Sequence, residues 1–112
     1  DEQKILKEIL DSKFKDQCVA LDNYTINETL PIIKNCKISV CNDTGFAHLS
    51  VALGIKSLTL FMDSPVMAYG KYSAKMIAIE PEGEKNSTKH DTLGKDKISF
   101  DAVLSESFKL LN

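Results

Sequence analysis

Asp43, Thr44, Gly45 and His48 stand within one short run, Asn42-Asp43-Thr44-Gly45-Phe46-Ala47-His48-Leu49-Ser50-Val51-Ala52-Leu53-Gly54, and bring together a carboxylate, a hydroxyl, a glycine and an imidazole. Lys37 to Cys41 precede the run as a strand, and Phe46 to Leu53 continue it as a helix. At such a junction the first N–H groups of the helix lack intrahelical partners, and the positive end of its dipole points the same way. A phosphate fits there, which suggests a nucleotide-type ligand. Glycine at position 45 lets the backbone approach that ligand closely.

The elements that must position this run alternate between helix and strand. Ile5, Leu6, Ile9 and Leu10 recur at helical spacing among charges, so the first dozen residues form an amphipathic helix. Cys18 to Leu21 is a short apolar strand. Thr25 and Glu28 have the spacing of a capping box, and Ile26, Leu30, Ile33 and Cys36 trace one face of the helix that follows. Pro31 conflicts with that helix, which is expected to kink or to begin nearer Thr29.

Ile38 to Cys41 is the second strand, Ser57 to Met62 the third and Lys75 to Ile79 the fourth. Gly54 falls where a helix C-terminus takes its left-handed residue. Glu80 to Lys97 is polar, mixed in charge and without periodicity, and reads as a solvated loop. Ser99 caps a last helix whose Phe100, Val103, Leu104, Phe108 and Leu111 share a face. The expected fold class is therefore α/β, a Rossmann-like parallel sheet of about four strands with helices on both faces. Ligands of open parallel sheets bind beyond the carboxyl ends of the strands, where Asn42 to Gly45 and Asp63 to Pro65 would meet.

Composition narrows the class of function. The chain has 112 residues, 43% hydrophobic and 27% charged, which suits one modest domain. Its net charge of −2 is spread along the chain, so no nucleic-acid partner is expected. No apolar run spans a bilayer and no leader pattern opens the chain, so a cytoplasmic location is expected. Cys18, Cys36 and Cys41 are odd in number, lack Cys-x-x-Cys spacing and read as buried free thiols of a reducing compartment. His90 is the only histidine besides His48, no His-x-x-x-His spacing exists, and no metal is expected. No carboxylate pair or Ser/His/Asp set argues for acid–base or nucleophilic catalysis within the chain.

Thr25 to Asp63 resembles the C-terminal domain of glycosyltransferase family nine, the heptosyltransferases. That family carries an Asp-Thr/Ser-Gly-x-x-His-x-x-x-Ala-Leu pattern after a strand, matched here by Asp43, Thr44, Gly45, His48, Ala52 and Leu53. The resemblance implies a bacterial enzyme of the two-domain GT-B architecture that moves heptose from ADP-heptose to the lipopolysaccharide inner core. On that view residues 1–112 are the later part of the C-terminal, donor-binding domain. The N-terminal domain, which in the family holds the acceptor and supplies the catalytic acidic residue, and a phosphate-contacting lysine would both lie outside it. No cofactor or metal is implied, and the family suggests peripheral association with the inner face of the inner membrane.

The resemblance also assigns roles. Backbone N–H groups of Thr44 and Gly45 would meet the diphosphate, with the Thr44 hydroxyl adding a hydrogen bond. Asp43, an anion, suits sugar hydroxyls better than phosphate. His48 either donates to the diphosphate, orients the turn, or bonds a neighbouring loop backbone. Tyr24 either packs against the adenine ring or staples the start of the capped helix. Asp63, Ser64 and Pro65 stand where the family has Gly-Pro-Thr/Ser, a departure that loosens the comparison for that loop, and Tyr69-Gly70 matches a tyrosine-glycine pair further along it. Two other functions fit the same residues: another GT-B or Rossmann-like sugar-nucleotide enzyme such as an epimerase, and a non-catalytic α/β binding module.

Overall fold

The computed structural model describes residues 2–83 and 97–112. In chain order the elements are helix α1 (Glu2–Leu10), a 3-10 turn (Lys15–Gln17), helix α2 (Ile26–Lys34), strand β1 (Ile38–Asn42), helix α3 (Gly45–Ala52), strand β2 (Lys56–Leu60), helix α4 (Val66–Tyr69), strand β3 (Met76–Ile79) and helix α5 (Phe100–Leu111). The three strands form one parallel sheet in the order β1-β2-β3. This is the expected α/β, Rossmann-like class with one strand fewer. Cys18 to Leu21 is the missing one. It leaves the 3-10 turn in extended conformation but joins no ladder, and Val19 is largely exposed. Four apolar residues suffice for a linker as well as for a strand, and periodicity cannot separate the two.

Strand register divides the side chains between two faces. Ser39 and Cys41 align with Ser57 and Thr59, which align in turn with Met76 and Ala78. On this face lies the core, in which Ala47 and Val51 of α3 meet Phe61, Val66 and Met76, flanked by Cys41 and Ala78. Between them runs a polar seam: Ser39 Oγ is 3.5 Å from Cys41 Sγ, which is 3.6 Å from Ser57 Oγ, itself 3.0 Å from Thr59 Oγ1. The opposite face presents Ile38, Val40, Leu58, Leu60, Ile77 and Ile79, and α5 packs on β1 and β2. Leu58, central in the central strand, is fully buried.

Local chemistry explains most of the boundaries. Thr25 caps α2 as a full capping box: Thr25 N–H donates to Glu28 Oε2 at 2.8 Å, and Glu28 N–H donates to Thr25 Oγ1 at 3.3 Å. The Thr25 N–H foremost, and then the Thr25 hydroxyl, which donates to the same Oε2 at 3.0 Å, hold the Glu28 carboxyl below its ordinary pKa. The helix thus starts at Ile26 rather than near Thr29 and carries Pro31 inside it. Proline removes the bond that position 31 would give to the Asn27 carbonyl, while the box secures the start upstream. Gly54 takes φ +87° and ends the turn after α3, as expected.

Two more expectations change. The cysteines are free, but Cys36 is exposed and Cys18 and Cys41 are only half-buried. Cys36 lies at the end of α2, where its thiol donates to the Ile32 carbonyl instead of packing in the core. Helix α5 is capped by Ser99, whose Oγ accepts from Ala102 N–H at 3.2 Å, but it half-buries Val103, Glu106, Ser107 and Leu110. Phe100, Leu104, Phe108 and Leu111 are mostly exposed, because the apolar stripe is wider than the flank of α5 that meets the sheet. The stretch read as a loop lies outside the described residues from position 84 to 96.

Candidate functional site

Strand β1 delivers Asp43 to the carboxyl edge of the sheet, and the Asp43 N–H donates to the Leu60 carbonyl at 3.2 Å, which ties the turn to the end of β2. Thr44 is then the N-cap of α3 in extended conformation, φ −142° and ψ 171°. Its side chain makes no capping bond, and Thr44, Gly45 and Phe46 are exposed. A methyl group built at Gly45 would meet no atom within 4 Å, so the space before the helix start is open. An anion arriving there would meet the helix dipole and backbone donors with no side chain to displace.

Asp43 itself is held in a clamp. Its side chain is 13% exposed; Oδ2 accepts a short hydrogen bond from the Ser64 hydroxyl, and Oδ1 lies 3.2 Å from His48 Nε2. A carboxylate only accepts, so His48 Nε2 carries the proton and donates. The other ring nitrogen, Nδ1, lies 2.7 Å from the Tyr72 hydroxyl, and the two rings stack at 5.6 Å between centroids with 29° between planes. Partial burial, and secondarily the Asp43 charge, push the Tyr72 phenol above its ordinary pKa and keep it protonated.

Asp43, Thr44, Gly45 and His48 therefore come together, as their spacing suggests. Both ring nitrogens of His48 are engaged by side chains, Asp43 and Tyr72, rather than by a loop backbone. Ser64 and Tyr72 both come from the connection between β2 and β3. Pro65 caps α4 at the start of that connection, and Gly70 follows α4 so closely that an added Cβ would lie 2.9 Å from Val66 Cγ1 and 3.1 Å from the Val66 carbonyl oxygen. The chain can fold back there because no side chain is present. Tyr72 has no local signal in the sequence; only that fold-back brings it to His48, 24 residues earlier.

Two hollows flank the start of α3. One, of about 230 Å³, is lined by Asn42, Asp43, Leu60, Met62, Asp63 and Ser64 at the ends of β1 and β2. The other, of about 330 Å³, is apolar and lies along β1, with Tyr24, Ile26, Ile33, Val40 and Phe46 in its walls. The two hollows share no lining residue, so Tyr24 and Asp43 stand in the walls of different hollows. Among the described residues no group of three or more His, Cys, Asp or Glu side chains could hold a metal ion, and no helix is long and apolar enough to cross a membrane.

A three-strand parallel sheet flanked by helices defines a Rossmann-like α/β domain, and the open helix start and the clamped carboxylate lie at the carboxyl edge, where ligands of such sheets bind. Residues 1–97 match glycosyltransferase family 9 (heptosyltransferase), and the chain belongs to that family. It is a glycosyltransferase domain, with a nucleotide-sugar donor and an acceptor as its partners. Comparison with curated proteins and with solved structures returned no match.

Proposed function

We propose that this chain is the donor-binding part of the C-terminal domain of a GT-B heptosyltransferase, which takes heptose from ADP-heptose and passes it to the lipopolysaccharide inner core. The observation that carries this reading is the pairing of an open, uncapped helix start with a carboxylate clamped beside it. A diphosphate sits against the Thr44 and Gly45 N–H groups, and the Thr44 hydroxyl adds a bond. Asp43, with both oxygens oriented but each retaining a lone pair, accepts from sugar hydroxyls. The adenine enters the apolar hollow beside Tyr24, whose ring offers it a face.

Chemistry at the anomeric carbon needs an acidic residue and an acceptor from a second domain, so the role of this chain is to hold the donor and stabilise the departing diphosphate. Oriented N–H groups do that without a metal. The reaction would run in the cytoplasm, at the inner face of the membrane that carries the acceptor.

The test is calorimetric titration of the full-length protein with ADP-heptose, ADP and UDP-sugars, followed by transfer to a lipid A–Kdo acceptor. ADP-heptose should bind selectively and be consumed. Asp43→Ala should weaken ADP-heptose by about ten- to a hundredfold, the range for a hydrogen bond to a charged group, and leave ADP within about twofold. Selective binding of UDP-sugars, or equal losses for ADP and ADP-heptose, would overturn the assignment.

A further inference from the structure

Four side chains join in one hydrogen-bonded chain: Tyr72 to His48, His48 to Asp43, and Ser64 to the other oxygen of Asp43. Its direction follows from what each group can do. Asp43 accepts from Nε2, so in neutral His48 the proton is on Nε2 and Nδ1 is a bare acceptor. The Tyr72 hydroxyl, 2.7 Å away, must then donate to it. Removing that donor frees His48 to present its other tautomer, with the proton on Nδ1. An unprotonated Nε2 would face a carboxylate oxygen, lone pair against lone pair, and Asp43 would turn away.

From this we infer that Tyr72 is a positioning residue: through its hydroxyl it holds His48 in the tautomer that donates from Nε2, and so fixes the aim of Asp43 at the donor sugar. The last step rests on Asp43 being the sugar contact. Tyr72 is 57% exposed, and among the described residues its hydroxyl bonds to His48. Its stacked ring gives the hydroxyl a fixed approach to Nδ1. The pairing of Ser64 and Tyr72 also explains why one connection supplies both: its two ends grip the same carboxylate from opposite sides, one directly and one by relay.

The experiment uses Tyr72→Phe, which keeps the ring and removes the hydroxyl, in the full-length protein. Nitrogen-15 spectra of the ligand-free protein should show His48 Nε2 protonated and Nδ1 as a hydrogen-bonded acceptor; in Tyr72→Phe the Nδ1 signal should move toward that of a protonated nitrogen and the Nε2 signal toward that of a bare acceptor. Affinity for ADP-heptose should fall about three- to tenfold, the scale of one neutral hydrogen bond, with ADP unchanged. In a His48→Asn background the same substitution should have no further effect. A His48 Nε2 that stays protonated in Tyr72→Phe, whether the Nδ1 signal is unmoved or shifts only to that of a free acceptor, or an equal loss in both backgrounds, overturns the inference. If instead Asp43→Ala weakens ADP and ADP-heptose alike while the nitrogen signature behaves as stated, the sugar-contact reading fails and the relay to Asp43 stands.

Discussion

The two hollows on either side of the start of α3 are built on opposite principles. Beside Asp43 the wall is made of side chains that restrain one another, so that the carboxylate is oriented before any ligand arrives. Beside Tyr24 the wall is apolar, with Tyr24 and Phe46 each about half exposed. One mouth is set for hydroxyls whose positions matter to within a hydrogen bond; the other accepts a flat apolar body with little demand on angle. The open backbone at Gly45 lies between them and belongs to neither.

Substitutions that touch one mouth and spare the other break or sharpen that contrast. The largest effect is expected from Gly70→Ala, because a Cβ there meets Val66 at its side chain and its carbonyl and neither can yield without moving α4. Overpacking of this kind costs about 1–3 kcal/mol. Urea denaturation should register the loss, and the shift of the fold-back should weaken sugar-dependent affinity while base-dependent affinity holds. Next is Gly45→Ala. Nothing in the protein opposes the added methyl group, so stability should stay within about 0.5 kcal/mol. Affinity for ADP and ADP-heptose should fall together, on the order of tenfold, because the methyl group occupies the approach of the diphosphate. A loss confined to ADP-heptose would instead put the sugar, not the phosphates, at the helix start. The smallest effect belongs to Tyr24→Leu, which keeps bulk and removes the aromatic face. Binding of ADP should weaken about two- to tenfold and binding of pyrophosphate should not change, by competition titration.

Legibility in the sequence followed the distance over which each feature is encoded. The capping box at Thr25 and Glu28, the strand ending at the motif, and Gly54 at the end of α3 are each written within a few residues, and each is found where its spacing puts it. Cys18 to Leu21 shows the weakness of the same method, since an apolar tetrad becomes a strand only if a neighbour pairs with it. In α5 the period was legible but the facing flank was not, because the sheet rather than the helix chooses which part of a broad stripe to bury. Helix α4 and the Tyr72 hydroxyl depend on a fold-back through Gly70; the Tyr69-Gly70 pair marks the place but not what the fold-back brings to His48. The family motif marked Asp43 and His48 but is silent about what aims them.

The seam of Ser39, Cys41, Ser57 and Thr59 has a consequence for how the sheet finds its alignment. Parallel strands are joined by crossovers, so no tight turn fixes their offset as it does in a hairpin. Were β1 to slip by one residue against β2, Ser39 and Cys41 would pass to the aliphatic side, and Ser57 and Thr59 would face Ile38 and Val40. The slip would break the 3.6 Å contact of Cys41 Sγ with Ser57 Oγ, the member of the seam that crosses between the strands, while Ser57 and Thr59 would keep each other as partners. A row of small polar groups in the middle of an oily sheet thus favours one offset of β1 against β2, and that offset is the one that carries Asp43 to the carboxyl edge beside the end of β2.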